Sequence, residues 1–134
     1  MPDLQPVYDE LCRRLSVHED VFEVTDNLTD ANAAGGRKAD APSPDSYLLL
    51  GAPSDTYPGG VFFAGVKLAK RYVSFHLMSV HVVPETVISP ELTRRRQGKS
   101  CFNFTRIDEG LFDELADLTA DGRELYARQG LLRR

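Results

Sequence analysis

Gly98-Lys99-Ser100 spells the last three letters of a phosphate-binding P-loop, and Cys101, a nucleophile by chemistry, follows at once. A P-loop needs G-x-x-x-x-G-K-[ST] between a strand and a helix, so that backbone N–H groups at the helix start cradle phosphate. The first glycine of that pattern falls at position 93, which is Thr93. The flanking pattern also runs helix first and strand second, the reverse of what the loop requires. Both points argue against a nucleotide site. Cys101 as a nucleophile needs a neighbouring base and a depressed pKa. His76 and His81 exist as bases, but no spacing ties either to it, and a small half-buried strand cysteine is the plainer reading.

Arg94, Arg95, Arg96 and Lys99 form a basic cluster. Consecutive residues on a helix point roughly 100° apart, so three in a row do not face one ligand. Charges that complement a helix C-terminus explain them, with an anion or acidic partner as the other use. The carboxylates fall into two groups. Glu109, Asp113, Glu114, Asp117 and Asp121 lie near the C-terminus; Asp9, Glu10, Glu19, Asp20 and Glu23 lie near the N-terminus. Carboxylates suit hard cations such as iron, manganese or calcium. Two solvated helix faces are the simpler account.

The elements that must position these groups follow from periodicity. Leu4, Tyr8, Leu11 and Leu15 fall at helical spacing, which predicts a helix over 3–18 with Asp3 as N-cap. A short strand is expected over 20–26. Residues 27–46 are rich in Ala, Gly, Asp, Ser and Pro and predict a flexible loop. YLLLG (47–51) reads as a strand and 52–60 as turn material. Residues 61–78 read as a hairpin turning at Lys70-Arg71. Opposed residues then pair as Leu68 with Val73, Val66 with Phe75 and Ala64 with Leu77, all apolar and on one face. The other face pairs Lys67 with Ser74, Gly65 with His76, Ala69 with Tyr72, and Phe63 with Met78. Ser89-Pro90-Glu91 starts a short helix over 89–97 that Gly98 ends. A strand is expected over 99–105, with Phe102 and Phe104 on one face and Cys101 and Asn103 on the other. Asp108 caps a last helix with Leu111, Leu115, Leu118 and Leu125 as its stripe and Tyr126 alongside.

Together these elements predict a single α+β domain over 1–134. It is a two-layer sandwich, one antiparallel-dominated sheet with two long helices on one face. The covered face should carry Phe62, Ala64, Val66, Leu68, Val73, Phe75, Leu77, Phe102 and Phe104. The open face should carry Lys67, Tyr72, Ser74, His76, Lys99, Cys101 and Asn103, with Phe63 and Met78. A face of that composition suits a small ligand, a protein partner or a homodimer contact.

Composition narrows the classes. The chain has 134 residues and a net charge of -4, with sixteen basic against twenty acidic residues. A dedicated nucleic-acid binder is usually basic, so none is expected as partner. No apolar run approaches membrane length, and no signal peptide is visible, so a cytoplasmic protein without membrane partners is expected. Two cysteines 89 residues apart, with no C-x-x-C pair, predict reduced thiols and no structural metal.

GVKLAKRYVSFHLM, Pro84, SPELTRRRQGKSCFNF and LFDELADL, read in order, resemble the YdhG-like domain family of unknown function. The likeness covers residues 61–126 and is densest from Ser89 to Phe104. It implies a fold similar to that of bacterial frataxin-like proteins, two helices on an antiparallel sheet, and it brings no established enzyme activity to named residues. Some family members are linked to iron delivery. Frataxin-like iron binding uses acids of the first helix and strand, which correspond here to Asp9, Glu10, Glu19, Asp20 and Glu23. The sequence thus predicts a non-enzymatic binding module without a cofactor, with a frataxin-like iron-binding chaperone as the alternative.

Overall fold

The computed structural model describes residues 3–25, 46–55, 57–83, 86–98 and 100–133. The expected loop over 27–46 falls outside these, except for Ser46. Among the described residues the chain runs α1 (Gln5–Ser16), β1 (Glu23–Thr25), β2 (Ser46–Leu50), β3 (Phe62–Leu68), β4 (Val73–Leu77), α2 (Met78–Val82), α3 (Pro90–Thr93), β5 (Arg96–Gln97), β6 (Cys101–Phe104) and α4 (Glu109–Arg128). The six strands form one sheet in the order β1-β2-β3-β4-β6-β5. Every neighbouring pair is antiparallel. The fold is α+β.

The central hairpin has the register that apolar pairing demands. Leu68 faces Val73, Val66 faces Phe75, Ala64 faces Leu77, and Lys67 faces Ser74. The Ala69 N–H donates to the Tyr72 carbonyl at 2.9 Å, which closes the turn around Lys70-Arg71. One residue of slip would have exchanged the buried and exposed sets. From α1, Val7, Leu11 and Leu15 pack on this face; from α4, Leu111, Phe112, Leu115, Leu118 and Tyr126 do. The rings of Phe104 and Phe112 meet edge to face at 5.0 Å. One apolar core thus lies between the sheet and the two long helices.

The helix ends show their causes. The Asp108 carboxylate accepts the Leu111 N–H at 3.1 Å and starts α4. Ser89 caps α3 by accepting the Leu92 N–H at 3.1 Å. Its hydroxyl and backbone N–H both donate to the Glu114 carboxylate, which ties α3 to α4. Asp3 lies one residue before the α1 cap position, Leu4, yet its carboxylate still accepts the Gln5 N–H at 3.0 Å.

Four expectations are corrected. Phe62 and Phe63 exchange faces. A β-bulge between β2 and β3 pairs Leu49 with Ala64 but Leu50 with Phe62. The extra residue turns Phe63 into the core, where it stacks on Phe22 at 4.0 Å and meets Tyr126 edge-on at 5.0 Å. Phe62 turns to the open face beside His76, 6.3 Å between ring centres. Met78 does not extend β4, because the backbone turns into the short helix α2 there. The helix expected over 89–97 stops at Thr93, and Arg96-Gln97 pair with Phe102 and Cys101 as a strand. Gly98, at φ +75°, therefore serves the turn between β5 and β6 rather than a helix end. The strand expected over 20–26 shortens to β1, since Val21 and Phe22 both bond back to the His18 carbonyl in the turn closing α1.

Candidate functional site

The open face is built from two rows of side chains that cross the strands. The first runs Leu48, Gly65, His76, Cys101, Gln97. The second runs Ser46, Lys67, Ser74, Asn103. Alternation along each strand sends these residues away from the helices. The β2 end of the face is apolar, with Leu48 and Leu50 buried and Phe62 partly so. The β4, β6 and β5 end is polar.

A hollow of about 260 Å³ opens at this polar end. Its lining is Lys67, Ala69, Tyr72, Ser74, His76, Gln97, Cys101 and Asn103. Six of these are the open-face residues that hairpin register and strand alternation single out. Lys99, the seventh, lies outside the described residues. Gln97 escapes sequence reading because the SPELTRRRQ run looks helical throughout. Its only sequence signal is the glycine that follows, which fits a strand turn as well as a helix end. Ala69 carries no chemical signal at all.

The hollow is internally ordered. The Ser74 hydroxyl donates to Asn103 Oδ1 at 2.5 Å. Asn103 Nδ2 in turn donates to Gln97 Oε1 at 2.5 Å. This chain fixes the Asn103 amide, whose oxygen faces Ser74 and whose nitrogen faces Gln97. Cys101 Sγ lies 3.1 Å from both ring nitrogens of His76. A sulfur equidistant from both is aimed along the in-plane lone pair of neither. Burial, helped by the nearby Lys67 charge, holds the His76 pKa below the ordinary imidazole value. Burial also pushes the Cys101 thiol up, against a smaller opposing hydrogen bond to Ser100. Both shifts favour the neutral forms. The pair is a half-buried thiol against a neutral imidazole, not a thiolate beside an imidazolium.

The N-terminal carboxylates are already engaged. Glu10 pairs with Arg13 and Arg14 at 2.5 and 2.7 Å, and these hydrogen bonds pull its pKa down to about 2. Asp20 forms a two-pronged pair with Arg123 at 2.9 Å. Glu23 pairs with Arg133 at 2.7 Å. Asp9 accepts from the Gln5 amide, and Glu19 accepts the Tyr47 hydroxyl. Among the described residues no group of three or more His, Cys, Asp or Glu is placed to hold a metal ion. Nor, among them, is any helix long and apolar enough to cross a membrane.

A second hollow of about 360 Å³ lies between α2, the segment after it, and α4. Val80, Val83, Val87, Leu118 and Leu125 make the apolar half of its wall. It is larger, and its polar lining groups are Ser79, Thr86, Asp121 and Arg128. Ligand sites combine concavity with a few fixed polar groups, and the Ser74-Asn103-Gln97 hydrogen-bond chain supplies these in the smaller one. No family model, curated protein or solved structure matches the chain.

Proposed function

We propose that the chain is a non-enzymatic binding module of the YdhG-like, frataxin-resembling kind, holding a small ligand in the open-face hollow. The single observation behind this reading is the convergence of Lys67, Tyr72, Ser74, His76, Cys101 and Asn103 on one concave patch. The volume of about 260 Å³ falls just below the usual range for drug-sized ligands, which suits a small metabolite rather than a peptide. The raised Cys101 and lowered His76 pKa values support binding over nucleophilic catalysis, since an activated cysteine needs the opposite shifts.

The iron-binding alternative would draw on Asp9, Glu10, Glu19, Asp20 and Glu23. Each of these already serves a hydrogen bond or ion pair that iron would have to displace. Ferrous titration of metal-free protein separates the two readings: saturable binding lost on Glu10→Gln and Asp20→Asn would favour iron. For the hollow, amide chemical shifts under a fragment library are the direct test. Shifts should cluster at Ser74, His76, Cys101 and Asn103 and vanish for Asn103→Leu. Shifts scattered away from these four residues would end the proposal.

A further inference from the structure

The charge of this protein is divided in a way its net value hides. Residues 56–84 and 92–107 contain eight of the sixteen basic residues and none of the twenty acids. These two segments supply β3, β4, β5 and β6, the strands that build the hollow. The rest of the chain therefore holds eight basic against twenty acidic residues.

Ion pairing sharpens the division. The ion pairs among the described residues use Arg13, Arg14, Arg123 and Arg133, all outside those segments. Lys67, Lys70, Arg71, Arg94, Arg95 and Arg106 take part in none of them. Strand register gathers five of these six toward one end of the sheet, and Arg94 directly precedes Arg95. Lys70 and Arg71 form the β3–β4 turn, and Arg106 follows β6, whose Phe104 lies beside Val73. Arg95 continues the row of Lys67, Ser74 and Asn103, its carbonyl accepting the Asn103 N–H at 2.8 Å. Lys67 itself lines the hollow. Cations gathered with no ion pair among the described residues repel one another, and a concave wall between them concentrates their field on whatever enters.

We propose that the ligand of this hollow is a small organic anion, carrying a carboxylate or phosphate toward Lys67 and the Lys70-Arg71 turn. Its uncharged part lies over Tyr72, Asn103 and Gln97. This inference rests on the hollow being a binding site, and the experiment keeps the two claims apart.

Benzoate and benzamide differ in charge but hardly in shape. Each is titrated separately into the full chain, with inorganic phosphate as a third probe, at constant ionic strength. Amide shifts of Lys67, Ser74, His76 and Asn103 provide the readout. Benzoate and phosphate should saturate there, with benzoate binding more tightly than benzamide. Lys67→Gln, at an exposed position, should weaken benzoate roughly two- to fivefold, the scale of one solvent-accessible ion pair, and leave benzamide unchanged. Lys70→Gln with Arg71→Gln should weaken it again, and added salt should mimic both changes. Benzamide binding as tightly as benzoate would overturn the anionic assignment while leaving the hollow a binding site. Saturation by neither benzoate, benzamide nor phosphate would overturn both claims. Anion shifts that saturate elsewhere, or that survive all three substitutions, would also overturn the inference.

Discussion

Replacing Phe63 and Phe62 in turn by alanine tests the β-bulge, because simple alternation along β3 predicts the opposite ranking. Phe63 is fully buried, stacked on Phe22 at 4.0 Å and edge-on to Tyr126 at 5.0 Å. Emptying such a site removes the ring's transfer energy and leaves a cavity, together ~3–5 kcal/mol. Phe62 is only partly buried on the open face, so its loss should cost about 1 kcal/mol, roughly half of a full phenylalanine burial. Domains of this size carry ~5–15 kcal/mol in total, so both variants should still fold. Urea unfolding followed by far-UV circular dichroism reads the difference. With a slope of ~2 kcal/mol per molar, Phe63→Ala should lower the midpoint by ~2 M and Phe62→Ala by ~0.5 M. Equal shifts, or a larger one for Phe62→Ala, would refute the bulge and restore plain alternation.

Four further outcomes can be checked on the wild-type chain and single variants. Gly122→Ala should destabilise by ~1–3 kcal/mol despite the usual helical gain, because its Cβ would lie 2.5 Å from Ser79 Oγ and 3.3 Å from the Phe63 ring. Gly110→Ala in the same helix meets only Asp108 Oδ1 at 3.7 Å and should stabilise by a few tenths of a kcal/mol; urea midpoints moving in the same direction would contradict this. His18 has its pKa lowered by burial and then by Arg123, so the unfolded chain binds its proton more readily. Stability should hold above the ordinary value of 6.5 and fall as pH drops below it; His18→Gln should flatten that fall, and an unchanged slope would count against the assignment. Cys101 should react with a thiol probe at neutral pH no faster than a free thiol, since burial raises its pKa; a faster reaction would reopen catalysis.

The parts of the fold that sequence makes legible are those where two independent patterns must agree. The β3–β4 register follows from three apolar pairs on one face and a lysine opposite a serine on the other. Ser89 and Asp108 announce their helices by residue type and position alone. What stays hidden is set by tertiary context. The bulge at Phe62-Phe63 carries no residue signal, because either phenylalanine suits either face. MSVHV is rich in residues that favour strands, yet the backbone turns there to cover the end of α4, and α2 forms against propensity. Arg96-Gln97 look like a helix end because their pairing partners, Cys101 and Phe102, become visible only once Gly98 has turned the chain. The hollow was legible through Lys67, Ser74, His76, Cys101 and Asn103 because strand alternation alone assigns their side. Gln97 was not, since its side depended on the misread element.

The ends of the sheet have a consequence for crowded solutions. Each edge strand offers unpaired backbone groups on which another chain can grow. Here those edges are β1, three residues long, and β5, two residues long. Neither reaches the about five residues of an ordinary strand, and β5 follows directly on Arg94 and Arg95, whose charges resist an incoming copy. Among the described residues, fibril-like growth through the sheet therefore finds only these short templates at its two ends. Two copies that do associate are left with a sheet face or a helix as the meeting surface, not an edge strand.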